Sequence, residues 1–572
     1  MRLHPPERVA EYETMGLWGV PLWTERLAQW CRSRGDALAL IDPPNLRALM
    51  GLASARYTWS EVADRAGHLA DVLARHGIGR DDVVGVQLPN CADLAVTYLA
   101  LSSLGAIATP FPMQYREYEL RQMCELAGAS AFLGAADFLG ASREAILREL
   151  KAAHGIREVF TLGGREVPGC RDLTTALRMP SGPDRAAPPV ERRARGLASL
   201  DPNDAVTICW TSGTEATPKG VPRCPNDWEP MGLTSVDAMG LGEDDVILNP
   251  FPMVNMAGIG GMFVPWLLSG STLVLHHPFD AAIFFGQIQG ERVTYTVAPP
   301  AVLIAALDDP ALTPEVVASL RIVGSGAAPL PPSMIRAYKD RFDIDVVNCF
   351  GSNEGVNLVG DPIGVPDPER RSRMFARPDT GGSAVTNRGA RGYRLRLVDP
   401  DRGEVIEEAG VTGELEVRGP GVMSGYLAGT AVSDPFTDDG YLRSGDLFRY
   451  EADDDGVPRF LQYVDRAKDL IVRGGMNISP AELEALIVAH PNVAEVAVVG
   501  VPDARLGERT RAVIVPRAAS RPPDLADIVE HLRRHRIASY KLPEDVRVVS
   551  ALPRNPVGKV LKRRLREAGP DR

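Results

Sequence analysis

Ala205-Val206-Thr207-Ile208-Cys209-Trp210, running straight into Thr211-Ser212-Gly213-Thr214-Glu215-Ala216-Thr217-Pro218-Lys219-Gly220, is the stretch of this 572-residue chain on which its reading turns. The first six residues are apolar and β-prone, so they predict a strand. The ten that follow pack hydroxyls, backbone amides and one lysine into a loop. Such a loop can cradle phosphate oxygens through main-chain N–H groups, hydroxyl donors and a cation. It is not a Walker A loop: Pro218 precedes the lysine where that motif needs glycine, and Gly220 stands where a serine or threonine would hold magnesium. The plain alternative is an exposed turn between a strand and a helix.

Working outward, Met179 to Asp204 is rich in Pro, Arg, Ala and Gly and reads as a loop or linker. Upstream of it, amphipathic helices such as Trp59 to His76 alternate with apolar runs such as Val83 to Gln87, as in a doubly wound sheet. The αβ alternation resumes after the loop and continues to about Gly360. From Arg391 to Arg449 short strands are separated by Gly, Pro and Asp turns, which predicts a small β-rich subdomain. The last hundred or so residues read as an α+β unit: a helix near Ala481 to His490, strands at Val493 to Gly500 and Thr510 to Val515, and a helix near Leu525 to His535. The chain exceeds what one core can organise, so at least two units are expected.

With 45% hydrophobic and 24% charged residues, the composition is that of a globular α/β protein. A formal charge of -11 argues against broad binding to nucleic acid or an anionic membrane, both of which need a basic face. Met1 to Glu13 lacks the apolar centre of a secretory signal. The run Leu94 to Pro110 is interrupted by Thr97, Ser102, Ser103 and Gly105 and is short for a membrane span, so it is read as a buried helix followed by a strand. No integral membrane association is expected. Seven scattered cysteines without paired metal-ligand spacing suggest reduced thiols and a cytoplasmic setting.

Further motifs accompany the loop in a fixed order: Gly326-Ala327-Ala328-Pro329-Leu330; Asn348-Cys349-Phe350-Gly351-Ser352-Asn353-Glu354; Tyr441-Leu442-Arg443-Ser444-Gly445-Asp446; Tyr463-Val464-Asp465-Arg466-Ala467-Lys468-Asp469-Leu470-Ile471, continuing through Gly474-Gly475; and Leu552-Pro553-Arg554-Asn555-Pro556-Val557-Gly558-Lys559-Val560. Together they resemble the signatures of the adenylate-forming superfamily of acyl-CoA synthetases, peptide-synthetase adenylation domains and luciferases. The chain departs from the common pattern at Glu215 and Ala216, where Thr and Gly are usual, and at Asn353, which replaces a Thr.

The resemblance implies an α/β multidomain fold: a large N-terminal domain of two doubly wound αβ subdomains plus a small β-barrel-like subdomain (residues 1–464), a hinge (465–468), and a small mobile C-terminal α+β domain (469–572). It implies that Thr211, Ser212, Gly213, Thr214 and Lys219 hold the phosphates of ATP. Ala327, Ala328, Pro329, Asn348, Phe350 and Gly351 would surround adenine, Asn353 would reach the α-phosphate, and Asp446 and Arg466 would take the ribose. Glu354 would hold Mg2+, a hard ion that prefers oxygen ligands. Lys468 would be the pivot, Gly474 and Gly475 would line the channel for coenzyme A, and Lys559, with Glu354 and Thr214, would be catalytic.

The implied chemistry has two halves. A carboxylate is a poor electrophile, so it first displaces pyrophosphate from ATP to become an acyl-AMP, a step that needs positive charge around the phosphoryl oxygens. The second half withdraws Lys559 and admits a thiol, through rotation of the C-terminal domain. The family's acyl pocket maps to Asn255, Met256 and Gly258, and the apolar neighbours Met253, Ile259 and Met262 suit a medium-chain, alicyclic or aryl acid. Ser352-Asn353-Glu354-Gly355 resembles CoA ligases of medium-chain and alicyclic acids. Pro5 to Glu13 and Gly16 to Gly19 resemble the start of stand-alone aryl-acid adenylating enzymes, so carrier-protein phosphopantetheine is the alternative to coenzyme A as acceptor. A catalytically degenerate nucleotide- or acyl-binding protein is the reading from a different class.

Overall fold

The computed structural model describes residues 1–178, 200–211, 218–326, 330–380, 387–430, 434–473, 476–503, 505–518, 521–535, 537–555 and 560–567. The described elements form a mixed α/β protein with four large sheets. An eight-stranded sheet places Leu38–Ile41, Thr272–Leu275, Val246–Asn249, Tyr295–Val297, Ile322–Gly326 and Asp345–Gly351 side by side in parallel, with the antiparallel strands Arg56–Thr58 and Asn357–Gly360 at its edges. Parallel strands buried on both faces read as continuous apolar runs, as Leu273, Val274 and Leu275 do.

A seven-stranded sheet carries the stretch quoted first. Thr207–Thr211 lies parallel to Ile107–Pro110, and beyond that come Val83–Gln87, Ala129–Ala135 and Glu158–Leu162. Among the described residues, the element that follows Thr207–Thr211 is a strand and not the helix that a strand-to-helix turn would require. This strand, Lys219–Arg223, runs antiparallel to the first, with Thr211 opposite Lys219 and Thr207 opposite Arg223. The helix Pro225–Met239 begins only after that. Pro222 has no N–H to give a ladder, and it is tolerated because this strand is the sheet's edge.

Local signals elsewhere match their elements. Helix Trp59–Arg75 starts at a capping box in which Thr58 Oγ accepts from Glu61 N–H while the Glu61 carboxylate accepts from Thr58 N–H. The run from Leu94 is the buried helix Ala92–Leu104, closed by left-handed Gly105 and followed by strand Ile107–Pro110. Among the described residues no helix is long and apolar enough to cross a membrane. None of the seven cysteines forms a disulfide.

The third sheet has six strands, all antiparallel, and extends beyond the expected Arg391–Arg449 to take in Met374–Ala376 and Phe460–Arg466. The fourth, between Ile471 and Val548, has five. Its long hairpin Val493–Asp503 and Gly507–Pro516 alternates between two faces after a register shift between Val493 and Glu495. Val498, Ala512 and Ile514 face the helices Pro480–Ile487 and Leu525–Arg534, whereas Ala497, Val499 and Val513 face Leu552 and Leu565. The expected linker lies, apart from residues 200–204, outside the described residues.

Candidate active site

The edge hairpin, the carboxyl ends of the eight-stranded sheet, the third sheet and the C-terminal unit meet around one cavity of about 2380 Å³. Open α/β sheets place ligands at the carboxyl ends of their strands, and here the ends of Ile322–Gly326 and Asp345–Gly351 supply Gly326, Asn348, Phe350 and Gly351 to the wall. Thr211 and Lys219, Asn255 and Met256, Asn353 and Glu354, and Asp446 and Arg466 line the same cavity. Arg554 and Val560 do so too, and these two pair in an antiparallel bridge. Of the residues named from sequence, Ser212, Gly213, Thr214, Ala327, Ala328, Pro329, Gly474, Gly475 and Lys559 lie outside the described residues, as does the side chain of Lys468.

Glu354 sits beyond the end of strand Asp345–Gly351, where Gly355 turns the chain with φ +118. A Cβ on Gly355 would fall 2.3 Å from the Gly421 carbonyl oxygen, so only glycine lets the turn lie against residues 421–423. Met423 N–H then donates to the Glu354 carbonyl at 2.9 Å. The Glu354 carboxylate accepts from the Tyr426 hydroxyl at 2.9 Å, and Lys219 Nζ stands 5.3 Å from the centroid of the same Tyr426 ring. Tyr426 is a site residue the sequence reading missed. Its only local signal is an aromatic side chain closing the glycine-rich run Gly419 to Gly425, and its partner lies 72 positions away.

Arg223, also missed, is fully buried. Its guanidinium donates to the Asn353 carbonyl (Nε, 2.9 Å) and the Gly421 carbonyl (Nη1, 2.7 Å), and it stacks over Trp228 at 5.2 Å. It therefore fastens the segment carrying Glu354 to the loop carrying Tyr426. The amino-terminal helix Pro6–Thr14 braces that loop from outside, because Arg8 donates to the carbonyls of Gly419, Val422 and Met423.

Asp446 is buried and forms an ion pair with Arg466 at 3.0 Å, the two residues facing one another across adjacent strands. Phe350 packs among Phe375, Phe448 and Tyr463. Burial pushes the Tyr463 phenol far above its ordinary range, so it stays neutral beside Asp446 and Asp465.

Three asparagines expected at ligands are committed within the protein. Asn348 Nδ2 donates to the Arg371 and Ser372 carbonyls. Asn255 Oδ1 accepts from Ala257 and Gly258 N–H and caps the π-helix Met256–Phe263. Asn353 joins Met256 to Trp210. Gly258 is not on the cavity wall: it is buried, and a Cβ there would lie 2.1 Å from the Pro252 carbonyl oxygen, so its role is close backbone packing. Phe251, Met256, Met262, Tyr295, Val297 and Cys349, none of them charged, also line the cavity. Burial pushes the Cys349 thiol up to about 12, so it stays protonated near neutral pH.

The fold is that of the adenylate-forming superfamily. The chain matches the AMP-binding enzyme family over residues 27–427 and the AMP-binding enzyme C-terminal domain over residues 482–559, and it belongs to that family of AMP-forming acid–thiol ligases. It is similar to the 3-[(3aS,4S,7aS)-7a-methyl-1,5-dioxo-octahydro-1H-inden-4-yl]propanoyl:CoA ligase of Mycobacterium tuberculosis, at 31% identity over 520 residues covering 90% of this chain and 94% of that protein. It is also similar to the pyochelin synthase PchD of Pseudomonas aeruginosa, at 29% identity over 98% of this chain and 95% of that protein. Among solved structures it resembles ATP-bound MatB from Rhodopseudomonas palustris, with a TM-score of 0.76 and 26% identity over 95% of this chain and 98% of that one.

Proposed function

We propose that this chain activates an apolar monocarboxylic acid of medium-chain, alicyclic or aryl type as its acyl-AMP, releasing pyrophosphate, and then forms the thioester with coenzyme A. The observation that carries the reading is the convergence of Lys219, the Tyr426-held Glu354 and the Asp446–Arg466 pair on one cavity, with Arg554 and Val560 on its wall. Those two residues bracket the lysine motif, which supports Lys559 as the cation at the phosphoryl oxygens. Glu354 offers oxygen donors on the nucleotide side, a donor set that suits Mg2+. Bound there with the triphosphate, Mg2+ would supply positive charge to the phosphate oxygens.

Thr211, Ser212, Gly213, Thr214 and Lys219 take the phosphates in this proposal, and Asp446 and Arg466 take the ribose hydroxyls. Adenine lies against Phe350 and Gly351, near Ala327, Ala328, Pro329 and Asn348. Residues 1–464 bind ATP and acid, 465–468 form the hinge with Lys468 as pivot, and 469–572 rotate to exchange Lys559 for the Gly474-Gly475 channel. A change of sheet at this point supports the boundary: Phe460–Arg466 belongs to the third sheet and Ile471–Arg473 to the fourth. The uncharged wall around Met256 and Met262 favours an acid with no second ionised group, since burying an unpaired charge there would cost several kcal/mol.

A carrier-protein phosphopantetheine is the second reading for the acceptor. The similarity to the pyochelin synthase, which covers 98% of this chain, favours it. The test is carboxylate-dependent pyrophosphate release from ATP and Mg2+ across a panel of acids, followed by mass detection of the thioester with coenzyme A and, separately, with a phosphopantetheinylated carrier. Acid-independent or absent release would reject adenylation. Release without a CoA thioester, but with carrier loading, would move the proposal to the second reading.

A further inference from the structure

Asn353 occupies the place where the family pattern has a threonine, and its amide is used at both ends. Oδ1 accepts from Met256 N–H at 2.8 Å, and Nδ2 donates to the Trp210 carbonyl at 3.2 Å. The orientation is set by the partners, because a backbone N–H can only donate and a carbonyl can only accept. Trp210 is the penultimate residue of the strand that leads into the phosphate loop. Met256 opens the π-helix of the proposed acyl wall.

The first turn of any helix leaves N–H groups without intrahelical partners. Here Asn255 satisfies those of Ala257 and Gly258, and Asn353 satisfies that of Met256. The Met256 side chain in turn passes over Gly351, with Cγ 3.7 Å from where a Cβ would stand. The acyl wall is thus fixed by its backbone to Asn353 and by its side chain to a residue two positions earlier. Arg223 pins the Asn353 carbonyl from behind.

We infer that Asn353 is a positioning residue that couples the acyl wall to the strand feeding the phosphate loop, and that it sets the affinity for the acid rather than for ATP. A threonine cannot replace it: its single hydroxyl oxygen sits directly on Cβ, one atom short of the amide's reach. The kinetic part of this inference rests on the adenylation reading above.

The test uses the full chain and the variants Asn353→Ala and Asn353→Thr, the second guarding against a folding failure of the first. Amide hydrogen exchange over residues 250–263 is expected to speed up about tenfold or more in both variants, while the strand Gly507–Pro516 is unaffected. In steady-state pyrophosphate release, the KM for the acid is expected to rise about tenfold in both, with the KM for ATP within about twofold of the parent. Unchanged exchange in both variants overturns the inference, as does an Asn353→Thr enzyme with the parent's acid KM. A higher KM for ATP with an unaltered KM for the acid also overturns it and makes Asn353 a phosphate ligand. Failure of the adenylation reading is seen separately, as absence of pyrophosphate release from the unsubstituted chain with every acid, whatever the exchange result.

Discussion

Tyr426 stands between a cation and an anion, with its hydroxyl on Glu354 and its ring beneath Lys219. A hydrogen bond to a charged group contributes about 1.5–3 kcal/mol. Tyr426→Phe keeps the ring and removes that bond, so the Mg2+ concentration giving half-maximal pyrophosphate release should rise on the order of tenfold. The thermal midpoint should barely move, and a Mg2+ titration of parent and variant reads the difference. Arg223 is a different case, because it is fully buried and its donors hold two loops together. Arg223→Met fills the space but strands the Asn353 and Gly421 carbonyls and removes positive charge from buried Asp227, for which Arg223 is one of the stabilising charges. Removing one partner of a buried charge cluster costs about 3–5 kcal/mol, so a clear drop in the denaturant midpoint is expected.

At the scale of elements, the buried helix Ala92–Leu104 is anchored from outside its own segment. Asp42, the residue after strand Leu38–Ile41, accepts from Ala92 N–H at 2.7 Å and from Ala55 N–H at 3.2 Å. Burial nevertheless raises its carboxyl to about 7 from an ordinary value of 3.8. Folded chains then hold a proton that unfolded chains have released between those two values, so the folded state loses stability as pH rises from about 4 to about 7 and no further above that. The full effect is on the order of 4 kcal/mol. Denaturation midpoints measured from pH 4 to pH 8 should fall along this curve in the parent and flatten in Asp42→Asn. Local sequence signals were legible at this scale. The periodicity of Trp59 to His76 and the apolar run Val83 to Gln87 correspond to the helix Trp59–Arg75 and the strand Val83–Gln87. The return of the chain as the edge strand Lys219–Arg223 was not legible, because Pro222 counts against a strand until its place at the sheet edge is known.

For the whole molecule, the proposal divides the two half-reactions between two arrangements of the C-terminal unit. Lys559→Ala should lower pyrophosphate release by on the order of 100-fold or more, while thioester formation from supplied acyl-AMP stays near the parent rate. Single-turnover assays of each half measure this, and equal loss of both would end the division of labour. The sequence by itself determined the family, through motifs whose order and residue types survive without any contact map, and it determined the helices and strands whose caps and periodicity are local. Only the tertiary structure decided that Glu354 answers to Tyr426, that Arg223 rather than an exposed charge secures the site, and that Asn353 reaches Met256 instead of serving as a simple stand-in for threonine. The reason is physical: a cap or an amphipathic stripe is written within one or two turns of chain, whereas a buried polar group takes whichever partner packing brings to it, and here those partners lie from 72 to 143 positions away.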